Sequence, residues 1–146
     1  MYMRKSAGFT IIELLVVVVL FLSMCGLFLY QKNTIEAVAR DDRRKADINT
    51  MYHNLEKVYY PAHQSYPDTL NTTTLPSVQA DTFKDPAGLA VNELRIDNSV
   101  LGTTTRSTYT YEPTNCKNNQ CSGYTLRADL EKEADYVRTS VHGNKK

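Results

Sequence analysis

Phe9 to Tyr30 is a run of 22 positions interrupted only by Thr10, Glu13, Ser23 and Gly26. Wound as an α-helix, it spans about 33 Å, enough to cross the hydrocarbon core of a bilayer. No proline occurs before Pro61, so the helix is predicted to continue past the apolar run. From Ile35 onward the apolar positions turn periodic, through Val38, Ile48, Met51, Tyr52, Leu55, Val58 and Tyr59. The spacing from Ile48 traces one amphipathic stripe. Pro61 is expected to end or kink this helix. Phe9 to Tyr60 then gives about 78 Å of helix.

Beyond it the pattern changes period. Residues 71–80 (NTTTLPSVQA) read as loop, and Asn71-Thr72-Thr73, though it fits a glycosylation sequon, is taken as loop composition. Asp85-Pro86-Ala87-Gly88 is a turn signal, with Pro and Gly at turn-favouring places. Ser107 to Tyr111 is a strand-like run of β-branched and aromatic residues. Tyr124, Leu126, Ala128 and Leu130 alternate with polar residues and mark one face of a second strand. A third short run, Ala134 to Arg138, would complete an antiparallel sheet. Its apolar face should pack on the stripe through Ile48, Met51, Leu55 and Val58. Tyr52, Tyr59, Tyr60, Tyr109, Tyr111 and Tyr124 are expected to line that seam, because tyrosine combines area with a hydroxyl that can reach water. An aromatic surface for adhesion or nucleic acid is the alternative use of these rings.

Charge narrows the partners little. Removing residues 1–8 takes away Arg4 and Lys5, leaving 15 basic against 16 acidic side chains, so nucleic acid is not indicated as a partner. Arg40 to Asp47 is a charged stretch in which Asp41 is placed to pair with Lys45 at i+4. It reads either as a mixed-sign subunit contact surface or as a solvated helix turn at the membrane exit. Asp129, Glu131, Glu133 and Asp135 are read as solvent-facing.

Cys116 and Cys121 form a close pair in a segment that looks exported, which reads as a disulfide stapling a hairpin tip. Cys25 lies in the apolar run. His53, His63 and His142 are scattered, without metal-ligand spacing to one another. With no P-loop, dinucleotide fingerprint, HExxH or nucleophile triad, the chain is read as a non-enzyme with no cofactor and no metal site.

Glu13 is the residue that needs a reason. A carboxylate well inside an apolar helix costs roughly 2.5–3.5 kcal/mol on insertion scales, and such residues usually have a partner. Arg4 and Lys5 precede the run, so the N-terminal end is expected to stay cytoplasmic. An ordinary signal peptide would need a shorter run with a small-x-small site. Leu22-Ser23-Met24-Cys25 approximates a lipoprotein signal, but Met24 suits that motif poorly. A plain signal anchor explains length and charge without explaining Glu13. Cleavage after Gly8 would turn Phe9 into a free amine, four residues before Glu13. A neighbouring chain in register could then pair its Glu13 with that amine. Such a pair adds little net stability, yet breaking it leaves a lone buried charge, so it sets register.

Gly8-Phe9-Thr10-Ile11-Ile12-Glu13-Leu14-Leu15, behind a short basic leader, resembles the processing site of type IV prepilins and type II secretion pseudopilins. The resemblance is strong over residues 4–30 and weaker beyond. It implies cleavage after Gly8 by a membrane prepilin peptidase, N-methylation of Phe9 and subunit docking through Glu13. The implied fold is α+β: a long N-terminal helix, membrane-spanning in its first half, packed by its second half against a small antiparallel β-sheet. The domains expected are a leader at 1–8, a transmembrane and assembly helix at 9–30, its amphipathic continuation at 31–60 and a β-rich head at 61–146; along the chain, the head is read as beginning after Tyr66-Pro67-Asp68. The implied partners are further copies of the chain, the prepilin peptidase, a pilus assembly platform and the membrane before assembly. The implied location is the cytoplasmic membrane first, then an extracellular pilus serving adhesion, twitching motility or DNA uptake. Major pseudopilins carry a calcium site in a C-terminal loop; the matching stretch here, Asn115 to Gly123, contains no carboxylate, which favours pilin over pseudopilin. A pseudopilin of a secretion or competence apparatus, and an unprocessed single-pass anchor for a binding domain, remain the alternatives.

Overall fold

The computed structural model describes residues 10–96 and 102–143. The chain divides into two units between Ala37 and Val38. One helix, α1 (Ile11–Asn54), runs through the division, followed by a π-helical turn at Leu55–Tyr59 and a short helix, α2 (Tyr60–His63). Pro61 therefore does not end the helix. In the π turn the Tyr60 N–H reaches back to the Leu55 carbonyl, so the ladder restarts and Pro61 falls in the first turn of α2. A proline is tolerated there, because its missing N–H has no helical partner to lose. Gln64, in the left-handed region at φ 52°, then stops the helix with its N–H on the Tyr60 carbonyl.

Among the described residues the second unit carries six strands, β1 (Tyr66–Pro67), β2 (Leu94–Ile96), β3 (Thr104–Arg106), β4 (Tyr109–Lys117), β5 (Gln120–Ala128) and β6 (Tyr136–Thr139). β4 and β5 form an antiparallel hairpin with Tyr111 opposite Leu126 and Cys116 opposite Cys121. The opposite edge of β5 is shared: β1 takes Gln120 and Cys121, and β6 takes Thr125 to Ala128. β2 and β3 pair separately as a two-stranded ribbon. The strand expected at Ser107–Tyr111 is thus longer than its alternation suggested and runs to the hairpin tip. There Asn118 (φ 50°) and Asn119 (φ 62°) make the two-residue turn. Positive φ at both central positions matches the twist of the flanking strands, and asparagine tolerates it. The head also begins earlier than expected, since Tyr66 and Pro67 are themselves a strand.

The core lies between the sheet and α1. Ile48, Met51 and Leu55 are fully buried against Tyr66, Tyr109, Tyr111, Tyr124 and Leu126, with Tyr52, Tyr59 and Tyr60 partly buried at its margin. The predicted stripe fails at Val58, which is 53% exposed, while Glu56 is buried at 6%. A π turn advances fewer degrees per residue than an α turn, so the inward face arrives one position late, at Tyr59. The free edge of β4 is closed by Asn92, whose side-chain amide donates to the Tyr111 carbonyl at 2.8 Å and accepts the Tyr111 N–H at 3.0 Å. Two positions on, Pro113 would aim its missing N–H at the same edge, where proline is tolerated and strand addition is discouraged. The predicted turn at Asp85–Gly88 is present, with the Gly88 N–H on the Asp85 carbonyl and Gly88 at φ 82°.

Part of the charged stretch is turned inward rather than into solvent. Asp41 is 1% exposed, and its partner is Arg44 at 2.7 Å rather than Lys45. The Asp41 carboxylate accepts the backbone N–H groups of Glu131 (2.9 Å) and Lys132 (2.9 Å). Glu131 in turn holds Arg40 at 2.6 Å and Arg44 at 2.9 Å, and Lys45 pairs with Glu133 at 2.6 Å. Residues 40–45 are therefore an intramolecular clasp that seats the 131–133 loop on α1, and Glu131 and Glu133 are ion-paired rather than simply solvated. Burial by itself would raise the Asp41 carboxyl, but the two backbone donors and Arg44 outweigh it and hold it below the usual value. The Arg40 hydrogen bond leads in pulling Glu131 down to about 2.

Candidate functional site

The candidate site is the N-terminal part of α1. Thr10 caps it: its hydroxyl accepts the Glu13 N–H at 3.3 Å and its carbonyl accepts the Leu14 N–H at 3.2 Å. Thr-x-x-Glu is the capping-box spacing, and Glu13 sits in the first turn, where the helix dipole favours an anion. Capping is a local signal for Glu13 that the sequence reading missed. It does not remove the cost of placing the carboxylate in lipid, and no cationic partner for it occurs among the described residues.

From Ile11 to Tyr30 every residue is exposed within the chain, the large apolar ones by 49% to 88%. Among the described residues, the helix that begins here and runs to His63 is the one long and apolar enough to cross a membrane, and none of its apolar window is buried. Its backbone ladder satisfies its own polar groups, and Ser23 turns its hydroxyl back to the Leu20 carbonyl at 2.9 Å. Phe21, Met24, Cys25, Phe28 and Leu29 line a shallow apolar groove along one side. A surface this apolar is stable only in lipid or against other apolar surface. Of the other residues singled out from sequence, Gly8 and Phe9 lie outside the described residues. Cys116 and Cys121 are joined by a disulfide with their Cα atoms 3.9 Å apart, remote in sequence from the helix, and Cys25 is a free, exposed thiol.

A model of the prokaryotic N-terminal methylation motif matches residues 3–29, covering the basic segment, the glycine–phenylalanine junction, Glu13 and the apolar run. The chain carries a prepilin-type N-terminus. That motif is the signature of type IV pilins and pseudopilins, and it implies processing by a prepilin peptidase and assembly into a pilus-like polymer. The long helix with an antiparallel sheet against its second half is a pilin-like α+β architecture. The prepilin-type motif and the exposed apolar helix together point to membrane anchoring before assembly. No curated protein and no solved structure matches the chain.

Proposed function

We propose that the chain is a structural subunit of a type IV pilus, cut after Gly8 and polymerised through residues 9–30 into an extracellular filament. The observation that carries this reading is the coincidence of the methylation motif with a helix whose apolar side chains find no cover among the described residues. In lipid, the run is solvated before assembly. In a filament, the same side chains pack on those of neighbouring copies. Glu13 then sets the register: it approaches the Phe9 amine of an adjacent copy, and a mis-registered copy leaves a carboxylate unpaired in a low-dielectric core at a cost of several kcal/mol. The chain's own chemistry in this process is cohesion, and no catalytic step is assigned to it. The assembly platform and the prepilin peptidase are its partners in this reading. Adhesion, twitching and DNA uptake are the uses to which such a filament would be put.

Mass analysis of the mature N-terminus tests the processing step. The expected chain begins at Phe9 with one added methyl group, and a mature chain retaining residues 1–8 within fibres would overturn the proposal. Electron microscopy of cells then separates pilus from pseudopilus. Long surface filaments labelled through the chain support the pilus, and labelling confined to short envelope-spanning fibres would reassign it to a secretion or competence apparatus.

A further inference from the structure

Glu56, on the π turn, is a buried carboxylate that neither assembly nor the charged clasp uses. It accepts three donors and faces one imidazole nitrogen, contributed by three segments. The hydroxyls of Tyr66 and Tyr124 donate at 3.0 Å, the Val141 N–H at 3.1 Å, and His142 Nδ1 lies at 3.2 Å. The His142 ring stacks on Tyr60, with centroids 4.0 Å apart and planes 11° from parallel, and its side chain is 38% exposed. Tyr66 stands 5.0 Å from Tyr60 on the buried side and meets Tyr124 edge-on at 4.8 Å. The imidazole therefore rests on one aromatic face with a carboxylate at its Nδ1 edge. A planar cation is recognised by the same pair of features, a π-face and a charge-assisted acceptor.

The segment that brings His142 there, Ser140–Gly143, is held by polar contacts. Ser140 and Tyr124 exchange two hydrogen bonds, Ser140 N–H to the Tyr124 carbonyl at 3.0 Å and Tyr124 N–H to Ser140 Oγ at 3.2 Å. At its end two glycines face each other. A methyl on Gly143 would come within 2.8 Å of the Gly123 Cα and 3.2 Å of the Ser122 carbonyl. None of its four residues belongs to the hydrophobic core, and Val141 is 60% exposed. Segments with few apolar contacts open at a fraction of the global stability.

We propose that Ser140–Gly143 is a releasable strap, and that the seat beneath His142 is a receptor for a planar cation bearing an N–H donor, which His142 occupies in cis. Releasing the strap uncovers the Glu56 carboxylate and the Tyr60 face together. A ligand of that chemistry competes with His142 and holds the strap open.

The test uses the full-length chain in detergent micelles, with backbone hydrogen exchange as the readout. In His142→Ala, the Val141 and Ser140 amides should exchange at least about tenfold faster, the factor for one lost hydrogen bond to a charged group. The Leu126 amide in β5 should keep its rate. Millimolar imidazole should then restore Val141 protection by refilling the seat, whereas toluene, of similar size but without an N–H, should not. Adding Glu56→Gln to that variant should abolish the imidazole response. Unchanged exchange at Val141 in His142→Ala overturns the strap. Acceleration that extends equally to Leu126 also overturns it, because His142 would then support the whole head. Acceleration without an imidazole response, or with an equal response to toluene, overturns the receptor.

Discussion

The clasp at Asp41 offers the most direct energetic test of how the head is held on its helix. Replacing Asp41 with alanine strands the backbone N–H groups of Glu131 and Lys132, both donors to a carboxylate that is 1% exposed. Each stranded donor costs about 1–3 kcal/mol. Arg44 loses its 2.7 Å partner but keeps Glu131 at 2.9 Å, so its buried charge is only half orphaned. The expected total is about 3–5 kcal/mol, the range for breaking a buried pair by removing one side. Asp41→Asn keeps one acceptor oxygen of nearly the same shape and should cost about 1–2 kcal/mol. Urea unfolding in detergent micelles measures both, with near-ultraviolet circular dichroism as the probe, since the chain has ten tyrosines and no tryptophan. A cost below about 0.5 kcal/mol for the alanine variant, the range of ordinary surface substitutions, would refute the clasp.

The same carboxylates make the clasp acid-sensitive. Asp41 and Glu131 both titrate below their ordinary values in the folded chain, so their contribution is fully present above those values and is lost as pH falls, for Glu131 between 4.5 and about 2. Exchange at the Lys132 amide should accelerate in that window ahead of the β5 amides, and simultaneous loss of both would count against a local clasp. Leu55→Ala should cost about 2–5 kcal/mol and Val58→Ala less than about 1 kcal/mol, as a comparison of denaturation midpoints can check; equal costs would restore the unbroken α-helical stripe. Glu13→Ala should insert into membranes normally yet yield few filaments by microscopy, and a normal yield would remove the docking role from Glu13. Reducing Cys116–Cys121 should cost roughly 2 kcal/mol at the hairpin tip by the chain-entropy argument, read as faster proteolysis near Asn118 with the helix unaffected. Unaltered resistance at that turn would show the Asn-Asn turn to be sufficient.

Legibility along this chain tracks the range of the interactions involved. The apolar run, its helical length and the glycine–phenylalanine–glutamate spacing are local properties, and so is the alternation that placed Tyr124, Leu126 and Ala128 inside. The closely spaced Cys116 and Cys121 were readable as a pair for the same reason. The packing of the sheet on the Ile48–Leu55 stripe was readable too, but particular pairings between segments distant along the chain escaped. Asp41 was matched to Lys45 because they are neighbours on a helix, yet its acceptor atoms answer to backbone donors some ninety residues away. The head was expected to begin only after Tyr66-Pro67-Asp68, since nothing in two residues predicts that β5 will offer Tyr66 and Pro67 an edge. The ribbon of β2 and β3 gave no burial pattern to find, because all six of its residues are exposed.

The sequence by itself determined that this chain has an apolar N-terminal helix with a processing motif and one misplaced acid, followed by an α+β head, because hydropathy, charge and turn chemistry are carried residue by residue. Only the tertiary structure decided which side of the helix faces the head beyond Leu55. There the π turn sends Val58 outward and Glu56 inward, into a nest made by the Tyr66 and Tyr124 hydroxyls, the Val141 N–H and the His142 ring. A buried carboxylate is stable only where donors converge, and that convergence exists only once segments distant in sequence have been folded onto one another.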